Sequence, residues 1–111
     1  MSETPRRVAS IIELDPDRIE EYERYHAAVW PGVLDRLRAS NVRNYSIYRH
    51  GAMLFSYLEY VGDDYDADMA AIAADPETQR WWDVMMPMQR PLAERAEGEW
   101  WMELPEVFHL D

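Results

Sequence analysis

Three features of the chain predict an α+β fold of the ferredoxin-like, split βαβ kind. A strand-like run opens it at 7–14, a hairpin pattern occupies 43–61, and helical stretches at 15–39 and 64–88 separate these from an extended C-terminal segment. The order β-α-β-β-α-β closes into a four-stranded antiparallel sheet with its helices on one face. At 111 residues the chain is one domain, 1–111.

The first strand, 7-RVASIIEL-14, mixes β-branched and small residues. Asp15 then caps, Pro16 suits a first helical turn, and Asp17, Glu20 and Glu21 sit at the positive end of the helix dipole. Ile19, Tyr22, His26 and Val29/Trp30 keep helical spacing. Pro31 kinks or restarts that helix, because it removes a donor and crowds the turn before it. Val33, Leu34 and Leu37 carry the apolar stripe to about Ala39. The stretch 43-RNYSIYRH-50 alternates, Gly51 turns, and 53-MLFSYLEYV-61 returns, which reads as a β-hairpin. An Ala-rich helix follows at 64–75, and Pro76 restarts it as a second helix over 76–88. Residues 90–99 read as an exposed loop and 100-WWMELPEVFHLD-111 as mostly extended, with Pro105 at an edge or bend.

The third strand is largely apolar on both sides: Met53, Phe55 and Tyr57 on one, Leu54, Leu58 and Tyr60 on the other. The face without helices therefore needs cover. A homodimer packed sheet against sheet, a dimeric α/β barrel, would supply it.

Composition removes several function classes. The net charge of −11 gives no basic footprint for nucleic acid and would be repelled by an anionic membrane. With no Cys there is no disulfide, thiolate metal site or Cys nucleophile, which fits a reducing compartment. No apolar run approaches the roughly 20 residues of a membrane span, and the polar start lacks the apolar core of a secretory signal. These point to the cytoplasm. Four glycines leave no room for phosphate-binding or dinucleotide patterns.

Aromatics make up 13 % of the chain, with two adjacent tryptophan pairs. Tyr22 and His26 share one helix face, four residues apart. His26 is the first choice for proton transfer near neutral pH. Trp81 and Trp82, about 100° apart on a helix, can send one ring to the core and the other to a cavity. Tyr45, at the start of the second strand, can present a hydroxyl. His50 at the hairpin turn and His109 near the end are weaker, and the three histidines form no metal spacing. One acid/base group amid aromatic walls and phenols suits a ligand with C–H faces and many hydroxyls, such as a sugar. Mutarotation, which needs proton transfer and no metal or cofactor, is on the short list of matching reactions.

Four motifs in order, EEYERYH-x-x-VWP, NYSIY, QRWW and the terminal EVFHLD, resemble the L-rhamnose mutarotase family over residues 7–111. The resemblance implies a single ferredoxin-like mutarotase domain that dimerises and interconverts the α and β anomers of L-rhamnose. It implies His26 as the acid/base residue, donating to the ring oxygen, and Tyr22, Tyr45, Trp81 and Trp82 as sugar-binding residues. The partner of His26 that takes the anomeric proton stays open between a water and a tyrosine hydroxyl. The segment 83–104 departs from the Asn-Pro-Asp-rich stretch of some members. L-Fucose, another 6-deoxy sugar, is the alternative substrate. Two rival readings come from the same fold: a small monooxygenase or haem-binding dimer with His26 as axial ligand, and a non-catalytic dimeric binding module.

Overall fold

A computed structural model describes residues 4–111; the first three residues of the polar start lie outside the described residues. The central strand is β1 (Arg6–Leu14). It pairs antiparallel with β3 (Met53–Tyr60), from Arg6 opposite Tyr60 to Glu13 opposite Met53. On the far side of β3 lies β2 (Val42–His50), joined to it through Gly51, whose φ of +57° favours glycine. The free edge of β1 is shared by two short strands. β4 (Gln89–Arg90) pairs with Leu14 and Glu13, and β5 (Met102–Leu104) pairs with Ile11 to Ala9. The strand order is that of the expected sheet, with its fourth strand cut in two.

That cut departs from the sequence expectation. Pro91 has no N–H to continue the ladder, so the chain leaves the edge after Arg90 and rejoins it at Met102. β4 falls at the junction of the expected helix over 76–88 and the expected loop over 90–99, so Arg90, expected in that loop, is paired; only Met102–Leu104 of the extended segment is paired, and residues 105–111 have no regular structure.

Each helical stretch divides at its proline, as expected at Pro76, and as a restart and not a kink at Pro31. α1 (Ile19–His26) and α2 (Pro31–Ala39) are separated before Pro31, and α3 (Tyr65–Ala74) and α4 (Pro76–Met85) before Pro76. The residue preceding each proline is pushed out of helical geometry: Trp30 has ψ 133° and Asp75 ψ 123°. Asp75 also caps α4, accepting from the Thr78 N–H and hydroxyl, both at 2.9 Å. These bonds hold its carboxyl below the usual range.

Burial follows the strand alternation. Val8, Ile12 and Leu14 of β1 and Leu54 of β3 are buried beneath the helices, with Tyr22, Val33, Trp81, Met85 and Met88 closing the core around Ile12, Leu14 and Leu54. The other sheet face stays open: Phe55 is 41 % and Tyr48, its partner across the ladder, 66 % exposed. One irregularity matters for the site. Between Arg43 and Ser46, β2 carries an extra residue relative to β3, with Asn44 at φ +49°. A bulge of this kind re-aims side chains. Here it leaves Tyr45 on the helix side of the sheet, where it lines a cleft.

Candidate functional site

The cleft lies between α2, α4 and β2 and has a volume of about 880 Å³, inside the range of small-molecule sites. His26, Tyr45, Trp81 and Trp82 line one part; Val33, Leu37, Leu58 and Ile72 make an apolar part; Arg38 and Arg43 stand at its wall. Four of the five residues singled out in the sequence thus meet on one surface. Tyr22, 3 % exposed, is not on that surface; it backs His26.

His26 ends α1, where the helix stops short of Pro31. Its Nδ1 lies 2.9 Å from the Tyr22 carbonyl oxygen one turn earlier. A carbonyl only accepts, so Nδ1 carries the hydrogen, and in the neutral ring Nε2 is left with its lone pair. The imidazole stacks on the Tyr22 ring at 4.3 Å between centroids and 23° between planes. On its other flank Trp81 meets it edge-on at 5.3 Å. Burial lowers the His26 pKa, and the bond to Tyr22 only partly opposes this. The resting ring is therefore neutral at neutral pH.

The tryptophan pair divides its duties. Trp81 is 6 % exposed and packs edge-on against Tyr25 and Trp30 as well as His26. Trp82, 38 % exposed, opens onto the cleft. Tyr45 keeps 41 % of its surface exposed, yet protein packed around its phenol pushes that pKa up. The Tyr22 phenol is pushed up to about 12, mostly by burial, with a bond from Gln89 opposing and the Tyr45 phenol adding a little.

Sequence reasoning missed two residues next to this group. The Trp100 indole donates to Gln89 Oε1 at 2.8 Å, and Gln89 Nε2 donates to the Tyr22 hydroxyl at 3.0 Å. Trp100 is legible only as part of an aromatic pair, and Gln89 falls between the expected helix and the expected loop, in a two-residue strand that neither reading contains. Arg43 is a third; it caps α2 by donating to the Arg38 carbonyl at 3.0 Å and also donates to the Val42 carbonyl at the start of β2 at 2.9 Å. His50 is exposed at the hairpin end, and His109 pairs with Asp111 in the C-terminal segment at 2.8 Å. Among the described residues no group of three acidic or histidine side chains is placed to hold a metal, and no helix is long and apolar enough to cross a membrane.

The chain matches a family model described as L-rhamnose mutarotase over residues 7–110. It is 37 % identical to an L-rhamnose mutarotase from Opitutus terrae, over 95 % of this chain and 98 % of that one. It is 35 % identical to an L-fucose mutarotase from Xanthomonas campestris pv. campestris, over 95 % of this chain and 88 % of the relative. The crystal structure of an L-rhamnose mutarotase from Formosa agariphila superposes with a TM-score of 0.75 at 23 % identity, covering 96 % of this chain and 99 % of that one, and shares the fold.

Proposed function

The chain belongs to the L-rhamnose mutarotase family, and on that premise we propose that it interconverts the α and β anomers of L-rhamnose, with His26 carrying the proton. The observation behind this reading is the fixed, neutral imidazole at the cleft wall, its Nδ1 engaged at 2.9 Å and its Nε2 left as a base.

The reaction then runs as a proton shuttle. Nε2 takes the proton of the anomeric hydroxyl as the C1–O1 bond becomes a carbonyl and the C1–O5 bond breaks. The imidazolium returns that proton to the ring oxygen, giving the open-chain aldehyde. After rotation about C1–C2, the O5 hydroxyl gives its proton to Nε2, attacks the other face of C1, and O1 is reprotonated. One group thus serves as base and then as acid, which keeps the donation to the ring oxygen and accounts for the anomeric proton. O1 and O5 share one carbon, so a single nitrogen can reach both. No cofactor is needed, since only protons move. Tyr45 holds a sugar hydroxyl from the cleft wall and Tyr22 meets the sugar from behind His26, while Trp82, and the part of Trp81 that lines the cleft, face the apolar side of the sugar and its C6 methyl. A Cys-free, strongly acidic chain suits a cytoplasmic enzyme without nucleic-acid or membrane partners.

The test is exchange spectroscopy on the anomeric protons of L-rhamnose, with L-fucose in parallel because one relative acts on it. Enzyme-dependent cross-peaks stronger for rhamnose are expected; a preference for fucose would reassign the sugar, and none in either tube would end the mutarotase reading. Run against pH, the rate should fall on the acid side with a midpoint below the ordinary histidine value of about 6.5. The sign follows from burial. Folding favours the neutral ring, so both the active form and its contribution to stability are present above about 6.5 and are lost as pH falls through the lower folded value. A rate that rises on acidification would instead make imidazolium the starting form.

The working unit of this reading is a homodimer joined through the open sheet face. Tyr48 and Phe55 support it, together with the exposed Val107 (94 %), Phe108 (79 %) and Leu110 (80 %) of the C-terminal segment, which Arg7 holds through Glu106 at 2.8 and 3.1 Å. Phe55→Asp should convert a dimer into single chains, measured by light scattering on a sizing column. A wild-type chain that elutes with the mass of one copy would remove the dimer.

A further inference from the structure

The polar chain behind His26 has only one possible direction. An indole N–H can donate and never accept, so the Gln89 oxygen must face Trp100 at 2.8 Å. Its amide nitrogen must then face Tyr22, and the Tyr22 oxygen accepts at 3.0 Å. Chemistry thereby settles an amide orientation that is often ambiguous. The Tyr22 hydroxyl has accepted, and its own hydrogen remains. No acceptor among the described residues takes it. A buried donor left over in this way calls for a partner that arrives later. Tyr22 is not itself a cleft-lining residue, but its ring stacks on the cleft-lining His26 and its phenol lies near enough to that of the cleft-lining Tyr45 to be affected by it, which puts the free hydrogen beside the sugar of the proposed reaction.

We infer that Gln89, oriented by Trp100, is a positioning residue that fixes the Tyr22 hydroxyl as a hydrogen-bond donor toward the substrate. This rests on the mutarotase reading and adds a specificity element to it. A bound sugar must bring an oxygen lone pair to Tyr22, and a ligand with only a donor or a C–H at that point is refused. Such rejection is strong where a buried polar group would be left unpaired. The two-residue strand β4 gains a role as well, because its pairing with Leu14 and Glu13 places Gln89 beside α1, and the return of the chain at 102 brings Trp100 up to it.

Gln89→Glu tests the idea with almost no change of shape. The carboxylate still accepts from Trp100, but its second oxygen now requires a hydrogen from Tyr22. The phenol turns round and offers the sugar lone pairs only. KM for anomer exchange should rise by roughly tenfold or more, the worth of one hydrogen bond, with kcat changed less. In a Tyr22→Phe background the same substitution should change nothing further, because its only route to the substrate is the hydroxyl. Trp100→Phe, which frees the amide to flip, should raise KM in the same sense by less, and it provides a second variant if the first folds poorly. An active wild type with an unchanged KM in folded Gln89→Glu, or an equal loss with and without the Tyr22 hydroxyl, overturns the positioning role alone. A wild type that exchanges neither sugar removes the reading on which it stands.

Discussion

Replacing His26 by asparagine is expected to slow anomer exchange by roughly 10²–10⁴-fold, the range that one positioned acid/base group supplies, while the protein stays folded. Asparagine is chosen because its amide can keep the bond now made by Nδ1 to the Tyr22 carbonyl at 2.9 Å. What it lacks is Nε2 and any titration near neutrality. The Tyr22 and Trp81 ring contacts at 4.3 and 5.3 Å would be lost too, so a small drop in melting temperature should accompany the change. The two effects separate in experiment: sugar affinity, read by tryptophan fluorescence, should remain near that of the wild type, and the acid limb of the rate profile should vanish with the exchange. A folded variant that exchanges anomers at the wild-type rate would remove His26 from the chemistry. The surviving candidates would then be Tyr22 and Tyr45, phenols whose pKa values are raised, which makes them poorer acids at neutral pH.

What the sequence exposed, and what it concealed, follows from the range of the interactions involved. Pro31 and Pro76 divide the helices where local sterics require it, and Gly51 turns the hairpin because one residue there needs a positive φ. The spacing of Tyr22 and His26 shows in the chain as their stacking and hydrogen bond do in space, because a helix turn is a local object. The split fourth strand is different. Gln89 and Arg90 are strand residues only because the edge of β1 is free to receive them; their neighbours Met86–Met88 form a 3₁₀ turn, and no two-residue strand has a period to detect. The Trp100–Gln89–Tyr22 chain depends on that pairing and so leaves no trace in a pattern search. Tyr45 lies between these cases. The motif around it was visible, but a β-bulge that shifts register against β3 brings it to the cleft, and only Asn44, a residue that tolerates left-handed geometry, hinted at it.

The adjacent tryptophans should give opposite phenotypes despite their identical chemistry. Trp81 is 6 % exposed, belongs to the core around Ile12, Leu14 and Met88, and meets three aromatic rings. Truncation to alanine leaves a cavity the size of an indole, at a cost of about 3–5 kcal/mol. In a domain of this size that lowers the melting temperature by roughly 10–25 °C, and loss of exchange would follow from unfolding and from a displaced His26 together. Trp82 is 38 % exposed and opens onto the cleft. Its truncation should leave stability within about 1 kcal/mol and weaken sugar binding several-fold, the scale of roughly 0.5–1.5 kcal/mol for one aromatic contact. Thermal melts and KM values on both variants decide the matter. Equal destabilisation by the two would place Trp82 in the core. A Trp82→Ala enzyme with unchanged KM would mean that the sugar lies against Tyr45 and His26, on the other side of the cleft, and that the open indole faces only water. The difference between the two positions comes from one step of about 100° along α4, which sets the first ring in the buried cluster with Ile12 and Leu14, at the inner wall of the cleft, and leaves the second more open to it.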